Sequence, residues 1–311
     1  MRLLISLLAF SLFAAAQGPV PAGDQPTFRA ETRLVLLHAS VVDNKGRLVT
    51  NLSREAFKVF ENGVEQKLRI FKREDVPVSL GLIVDNSGSM REKRQKVEQA
   101  ALALVKASNP QDEVFIVNFN DEAFLDVPFT NDLKKMEEGL ARIDSRGGTA
   151  MRDAIVMSID HLKEKARKDK KVILIVTDGD DTASTTTLEK ALQHVQQSEV
   201  LVYAVGIVSE EEKREAKRAR RALDTLTKAS GGQAYYPKDQ NDVTKLCLEV
   251  AHEIRNQYIL AYTPLLPDDG SFRGIKVTAK GPNSPVVRTR TGYYAGAPKQ
   301  AQKSAALAQP K

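Results

Sequence analysis

Val78-Ser-Leu-Gly-Leu-Ile-Val84, running directly into Asp85-Asn86-Ser87-Gly88-Ser89, is the stretch on which the fold is decided. The first seven residues lack the polar alternation of a half-solvated strand, so they read as a parallel strand buried on both faces. The C-terminal end of such a strand is where open α/β sheets put their sites. The five residues that follow place one carboxylate and two hydroxyls at alternate positions of a tight loop. Hard oxygen ligands with so little negative charge suit a divalent ion such as Mg²⁺.

From Val78 onward strand-like and helix-like patterns alternate. Glu113 to Phe119 reads as a strand and Phe124 to Val127 as a short edge partner. Asn131 to Ile143 reads as a helix opened by an Asn cap, and a further helix carries Ile155, Ile159, Leu162 and Ala166 on one face. Lys171-Val-Ile-Leu-Ile-Val-Thr177 is a second strand with a wholly apolar centre, Val172 to Val176, ending at Asp178-Gly179. A helix from about Thr187 to Ser198, a strand from Val200 to Ile207, and helices from Glu210 and Asp242 continue the pattern. The fold class expected is α/β, with a doubly wound, mostly parallel, Rossmann-like sheet. Both flanks read as β: Leu34 to Val42, Phe57 to Phe60 and Val64 to Ile70 before it, then Tyr258 to Tyr262, Gly274 to Ala279 and Val286 to Tyr294 after it. Asn62-Gly63 between two such runs is a hairpin signal. Joining the flanks gives a small discontinuous β module made of N- and C-terminal strands. The divisions expected are 29–76 and 258–297 for that module, 77–257 for the α/β domain, and 298–311 for a disordered Ala/Gln/Lys/Pro tail.

Arg2, the apolar stretch Leu3 to Ala16 and Ala14-Ala15-Ala16 before Gln17 have the three parts of a secretory signal, with cleavage near Ala16 and a polar spacer over 17–28. The mature chain is therefore expected to be exported, periplasmic or secreted, with no integral membrane span; a retained N-terminal anchor is the alternative. The single cysteine, Cys247, excludes an intramolecular disulfide and falls on the apolar stripe Val243, Cys247, Val250, Ile254, so it reads as core. The net charge of +6, from 46 basic and 40 acidic side chains, comes partly from the run Lys213 to Arg221, read as a solvated helix face. No aromatics interleave with that run, so nucleic acid is not an expected partner.

Asp85, Ser87, Ser89, Thr149 and Asp178 lie where three segments should reach one sheet edge, with no basic side chain expected to compete among them. Each has a bland alternative. Ser89-Met-Arg-Glu92 is a capping box, Thr149 suits a helix cap and Asp178-Gly179 suits a turn. Asp180 and Asp181 read best as caps of the following helix, and Asn118, Phe119 and Asn120 as rim residues. Taken together, Asp-x-Ser-x-Ser, Gly-Gly-Thr and Thr-Asp-Gly resemble the complete metal-ion-dependent adhesion site (MIDAS) of von Willebrand factor type A domains, over roughly Val78 to Tyr258. Leu226 to Tyr236, Tyr258 to Pro264 and Gly292-Tyr293-Tyr294 look like the bacterial subgroup of VWFA-related acidobacterial proteins.

The resemblance implies metal ligation directly by Ser87, Ser89 and Thr149 and largely through water by Asp85 and Asp178. It also implies capture of a protein ligand's Asp or Glu carboxylate by the ion, Mg²⁺ first and Mn²⁺ or Ca²⁺ as alternatives. A metal-assisted hydrolase or phosphoryl-transfer enzyme with Asp85 as nucleophile is the rival. It lacks a second carboxylate where Ser87 stands, a P-loop lysine and a histidine on a loop, so no enzymatic activity is expected. A third reading makes the ion purely structural within an envelope assembly.

Overall fold

The computed structural model describes residues 34–141, 145–207, 213–239 and 241–296. The expected leader, spacer and tail, with residues 29–33 and 297 of the expected β module, lie outside them.

The strand that decides the fold is β5 (Val78–Asp85), every residue of which is buried. It lies inside a six-stranded sheet, with β6 (Glu113–Phe119) on one side and β8 (Lys170–Thr177) on the other, both parallel to it. Beyond β8 come β9 (Leu201–Gly206) and the two-residue β10 (Ala234–Tyr235), also parallel; beyond β6 comes β7 (Ala123–Thr130), antiparallel, as the edge. This edge strand is longer than the expected Phe124 to Val127, because its pairing with β6 continues past two register shifts to Thr130.

The alternate side chains of β5 explain why helices must cover both faces. Leu80, Leu82 and Val84 share a core with α1 (Arg94–Ala107), α2 (Leu133–Ala141) and α6 (Asp242–Arg255). Ile83 faces the opposite core, built with α3 (Met151–Lys165), α4 (Leu188–Gln197) and α5 (Lys213–Ser230). Gly81 on that second face makes room for the Phe115 ring, since a Cβ there would come within 2.5 Å of the ring's Cζ. Cys247 is fully buried on α6, as its stripe predicts. Because the chain goes from β5 to β6 on one side and returns to β8 on the other, a crevice opens above the C-terminal ends of these strands.

The flanking strands form two further antiparallel sheets that share one core. In the first, β1 (Val35–Val42) and β11 (Tyr258–Tyr262) pair centrally, flanked by β13 (Val286–Arg288) and β4 (Leu68–Lys72). In the second, β12 (Phe272–Ala279) pairs with β2 (Phe57–Glu61), flanked by β14 (Gly292–Tyr294) and β3 (Val64–Gln66). Leu37, Tyr258 and Leu260 from one sheet meet Val59, Val277 and Tyr293 from the other. Asn62 and Gly63 both have positive φ and close the expected β2–β3 hairpin.

Two expected strands are corrected. The run Val64 to Ile70 breaks at Lys67 and Val286 to Tyr294 breaks after Arg288, each half pairing in a different sheet. A strand that switches sheets at a bend is how a sandwich makes its corners. The described part of the helix expected over Asn131 to Ile143 begins at Leu133, one residue after Asp132, and ends at Ala141; 142–144 are outside the described residues.

Candidate functional site

Asp85 ends β5 and is 1% exposed. Its Oδ1 accepts the Ser87 amide at 2.8 Å, so the loop turns immediately over the strand end. Its Oδ2 accepts the Thr177 hydroxyl at 2.5 Å, because Val84 and Val176 are register partners and the next residue of each strand emerges at the same level. Burial pushes the Asp85 carboxyl up to about 6, opposed by those two hydrogen bonds.

The loop then presents Ser87 and Ser89. Their hydroxyl oxygens lie 3.1 Å apart, and Ser89 Oγ donates to Asp178 Oδ1 at 2.8 Å. Asp178 follows the end of β8, and its Oδ2 accepts from the Lys93 ammonium. The expectation that no basic side chain competes with these oxygens is therefore wrong. Lys93 stands one helical turn beyond Ser89, close enough to fold back over the loop. Thr149 is buried in the loop between α2 and α3, its Oγ1 3.8 Å from where a Cβ on Gly179 would sit, beside Asp178. The loop is pinned by Ala150 N donating to Asn120 O at 2.7 Å, and by Thr182 and Ala183 amides donating to Thr149 O.

Ser89 lies in a short 3-10 turn, Gly88–Met90, and α1 begins only at Arg94, so no capping box forms; the Ser89 hydroxyl is drawn to Ser87 and Asp178 instead. The residue before α3 is Ala150, so Thr149 is not its cap. Asp180 and Asp181 do not cap α4, whose cap is Thr187. Asp181 caps α3 from across the crevice, accepting Arg152 N at 2.8 Å and pairing with the Arg152 guanidinium; Asp180 accepts from Arg218 Nε at 2.5 Å. Asn118 and Phe119 are buried and do not line a rim. Asn118 instead joins a polar chain in which Arg94 donates to Asn86 Oδ1, Asn86 to Asn118 Oδ1 and Asn118 to Asp126. Thr177 and Lys93 were missed from the sequence, although Thr177 sits beside Asp178 in the same Thr-Asp-Gly motif.

The donor set suits a small hard cation. Adjacent ligands around an octahedral Mg²⁺ lie about 2.9 Å apart, from metal–oxygen distances of about 2.05 Å. The Ser87–Ser89 separation of 3.1 Å is close to that figure, and Asp178 hydrogen-bonds Ser89 from behind. The Asp178 carboxylate already carries a counterion, the Lys93 ammonium.

Residues 80–181 match the family model described as von Willebrand factor type A domain. The chain is 27% identical over 134 residues to inter-alpha-trypsin inhibitor heavy chain H4 of Sus scrofa, an alignment spanning 40% of this chain and 14% of that protein. It is 26% identical over 170 residues to calcium-activated chloride channel regulator 1 of Mus musculus, spanning 51% of this chain and 17% of that protein. The solved structure named von Willebrand factor type A from Catenulispora acidiphila superposes with a TM-score of 0.50 at 14% identity, covering 85% of this chain and 75% of that one. The α/β part of this chain thus has the fold of a von Willebrand factor type A domain.

Proposed function

We propose that this is an exported binding protein whose α/β domain holds a divalent cation at a complete adhesion-type site, Mg²⁺ first and Mn²⁺ or Ca²⁺ as alternatives, to capture a protein ligand through an Asp or Glu carboxylate. The observation that carries this reading is the cluster of Ser87 Oγ, Ser89 Oγ and Asp178 Oδ1 at contact distances of 3.1 and 2.8 Å above the strand ends. Ser87, Ser89 and Thr149 would hold the ion, with Asp85 and Asp178 behind them. Ligands this low in charge leave the bound cation electrophilic, so that an incoming carboxylate completes its shell favourably.

The chain's own residues prepare that contact. Thr177 and the Ser87 amide orient the Asp85 carboxylate toward the loop, and Asp181 fixes the start of α3 and with it the Thr149 loop. Export rests on the N-terminal Arg2 to Ala16 pattern; among the described residues no helix is long and apolar enough to cross a membrane.

Calorimetric titration with Mg²⁺ and Mn²⁺, run beside partner capture from the native envelope with and without chelator, tests the proposal. Binding and capture should both be lost in Asp85→Ala while its far-ultraviolet circular dichroism stays native. Capture undiminished in excess chelator would sink the recognition role and leave a structural ion, visible as metal-dependent melting alone.

A further inference from the structure

We propose that Lys93 is a tethered competitor for the cation, a positive charge built into the chain that sets how tightly the site holds metal. The proposal rests on the adhesion-type reading of the site, and it starts from a side chain that reading does not use.

Both oxygens of Asp178 are engaged from within the loop and helix that follow β5. Oδ1 accepts the Ser89 hydroxyl at 2.8 Å, and Oδ2 accepts the Lys93 ammonium. The carboxylate side chain is 1% exposed and the lysine side chain 19%, so this ion pair is largely withdrawn from water and weakly screened. A divalent ion held by Ser87, Ser89 and Thr149, with Asp178 behind them, would draw on the same carboxylate as the ammonium, and two cations beside one carboxylate repel each other. Metal and ammonium are therefore alternatives for the negative charge of Asp178.

The backbone around Lys93 is built to hold the tether while leaving the side chain free to leave. Lys93 N donates to Met90 O at 2.9 Å, and the residue sits at the N-cap of α1 in a helical conformation without a side-chain cap. A cation at a helix N-terminus opposes the helix dipole, so helix formation does not favour a lysine there. Its neighbour Arg94 is committed elsewhere, to Glu98, Asn86 and the Leu140 carbonyl. A flexible four-carbon stem with a compact ammonium swings out of such a pair more readily than a planar, multiply bonded guanidinium. Displaced by the metal, the ammonium would swing on that stem toward solvent, to which 19% of the lysine side chain is already exposed.

The test compares wild type with Lys93→Met, which keeps the stem and removes the charge, and Lys93→Arg, which keeps the charge. Affinity for Mn²⁺ and Mg²⁺ is measured by calorimetry, and melting is followed in chelator and in saturating Mg²⁺. Lys93→Met should bind Mn²⁺ on the order of tenfold more tightly, and should lose thermal stability in chelator but not in Mg²⁺. Lys93→Arg should bind no more tightly than wild type. Unchanged or weaker metal binding in Lys93→Met would overturn the competitor role, weaker binding making Lys93 a residue that positions Asp178 for the metal. If neither wild type nor Lys93→Met binds either ion at millimolar concentration, the adhesion-type reading and the competitor fall together.

Discussion

Thr177 and Lys93 change how the two carboxylates of the site are understood. Asp85 is held by a hydroxyl from the neighbouring strand, and Asp178 carries an internal counterion, so neither is a bare ligand waiting on a loop. The positions of Asp85 and Asp178 are legible because each stands at the end of an apolar strand; Ser87, Ser89 and Thr149 stand out only through the motifs around them. Thr177 and Lys93 are not legible, because their roles depend on strand register and on a side chain folding back one turn. Another residue carries a pH dependence. His38 on β1 has a buried Nδ1 without a partner and lines a small cavity with Asp169, Glu199 and Arg290. Burial, then the charges of Lys170 and Arg290, pushes its pKa down to about 3 from 6.5. As pH falls from about 6.5 toward 3 the unfolded chain takes up a proton that folded His38 refuses, so stability falls with pH across that window. Urea denaturation at pH 7 and pH 4.5 should show wild type losing ground to His38→Gln, by up to about 1.4 kcal/mol per pH unit. An equal loss in both proteins would refute this.

At the scale of elements, the central strands are readable because their apolar runs are rich in Val and Ile, bounded by turn signals and too short for a buried helix. The two outer runs, Val64 to Ile70 and Val286 to Tyr294, read as single strands in the sequence because their side-chain pattern continues through the bend. Only the sandwich, which needs each run to serve two sheets, divides them. The second bend is held against the turn that ends α5: Thr291 N donates to Ala229 O at 3.2 Å. Gly231 in that turn has φ +94°, and a Cβ there would lie 2.5 Å from Arg290 N and 2.6 Å from the Thr289 carbonyl carbon. Gly231→Ala therefore meets both backbone strain and a backbone collision. It should lower the unfolding free energy by more than about 1 kcal/mol, checked by chemical denaturation. A substitution within error of wild type would show that this contact between α5 and the β13–β14 link is not rigid.

Across the whole molecule, the α/β domain and the sandwich are joined through Glu253 of α6, which is 3% exposed. Its Oε1 accepts from Ser40 of β1 at 2.7 Å and Tyr203 of β9 at 2.9 Å. Its Oε2 accepts from Tyr235 of β10 at 2.8 Å and Arg288 of β13 at 2.6 Å. Removing one partner of a buried ion pair leaves the other uncompensated, so Glu253→Ala should cost about 3–5 kcal/mol, with Glu253→Gln milder. Unfolding followed by tyrosine fluorescence and by circular dichroism reads this; a loss below about 1 kcal/mol would mean that water replaces the carboxylate.

The sequence by itself determined the alternation of strands and helices, the central apolar strands and the order of the oxygen-bearing residues, because periodicity and loop spacing are local properties of the chain. The tertiary structure alone decided that Lys93 faces Asp178, that Asp181 caps α3 and not α4, and that two continuous runs split between sheets. Those outcomes depend on which distant surfaces compete for a charge, an amide or a strand edge, and that competition exists only once the chain is packed.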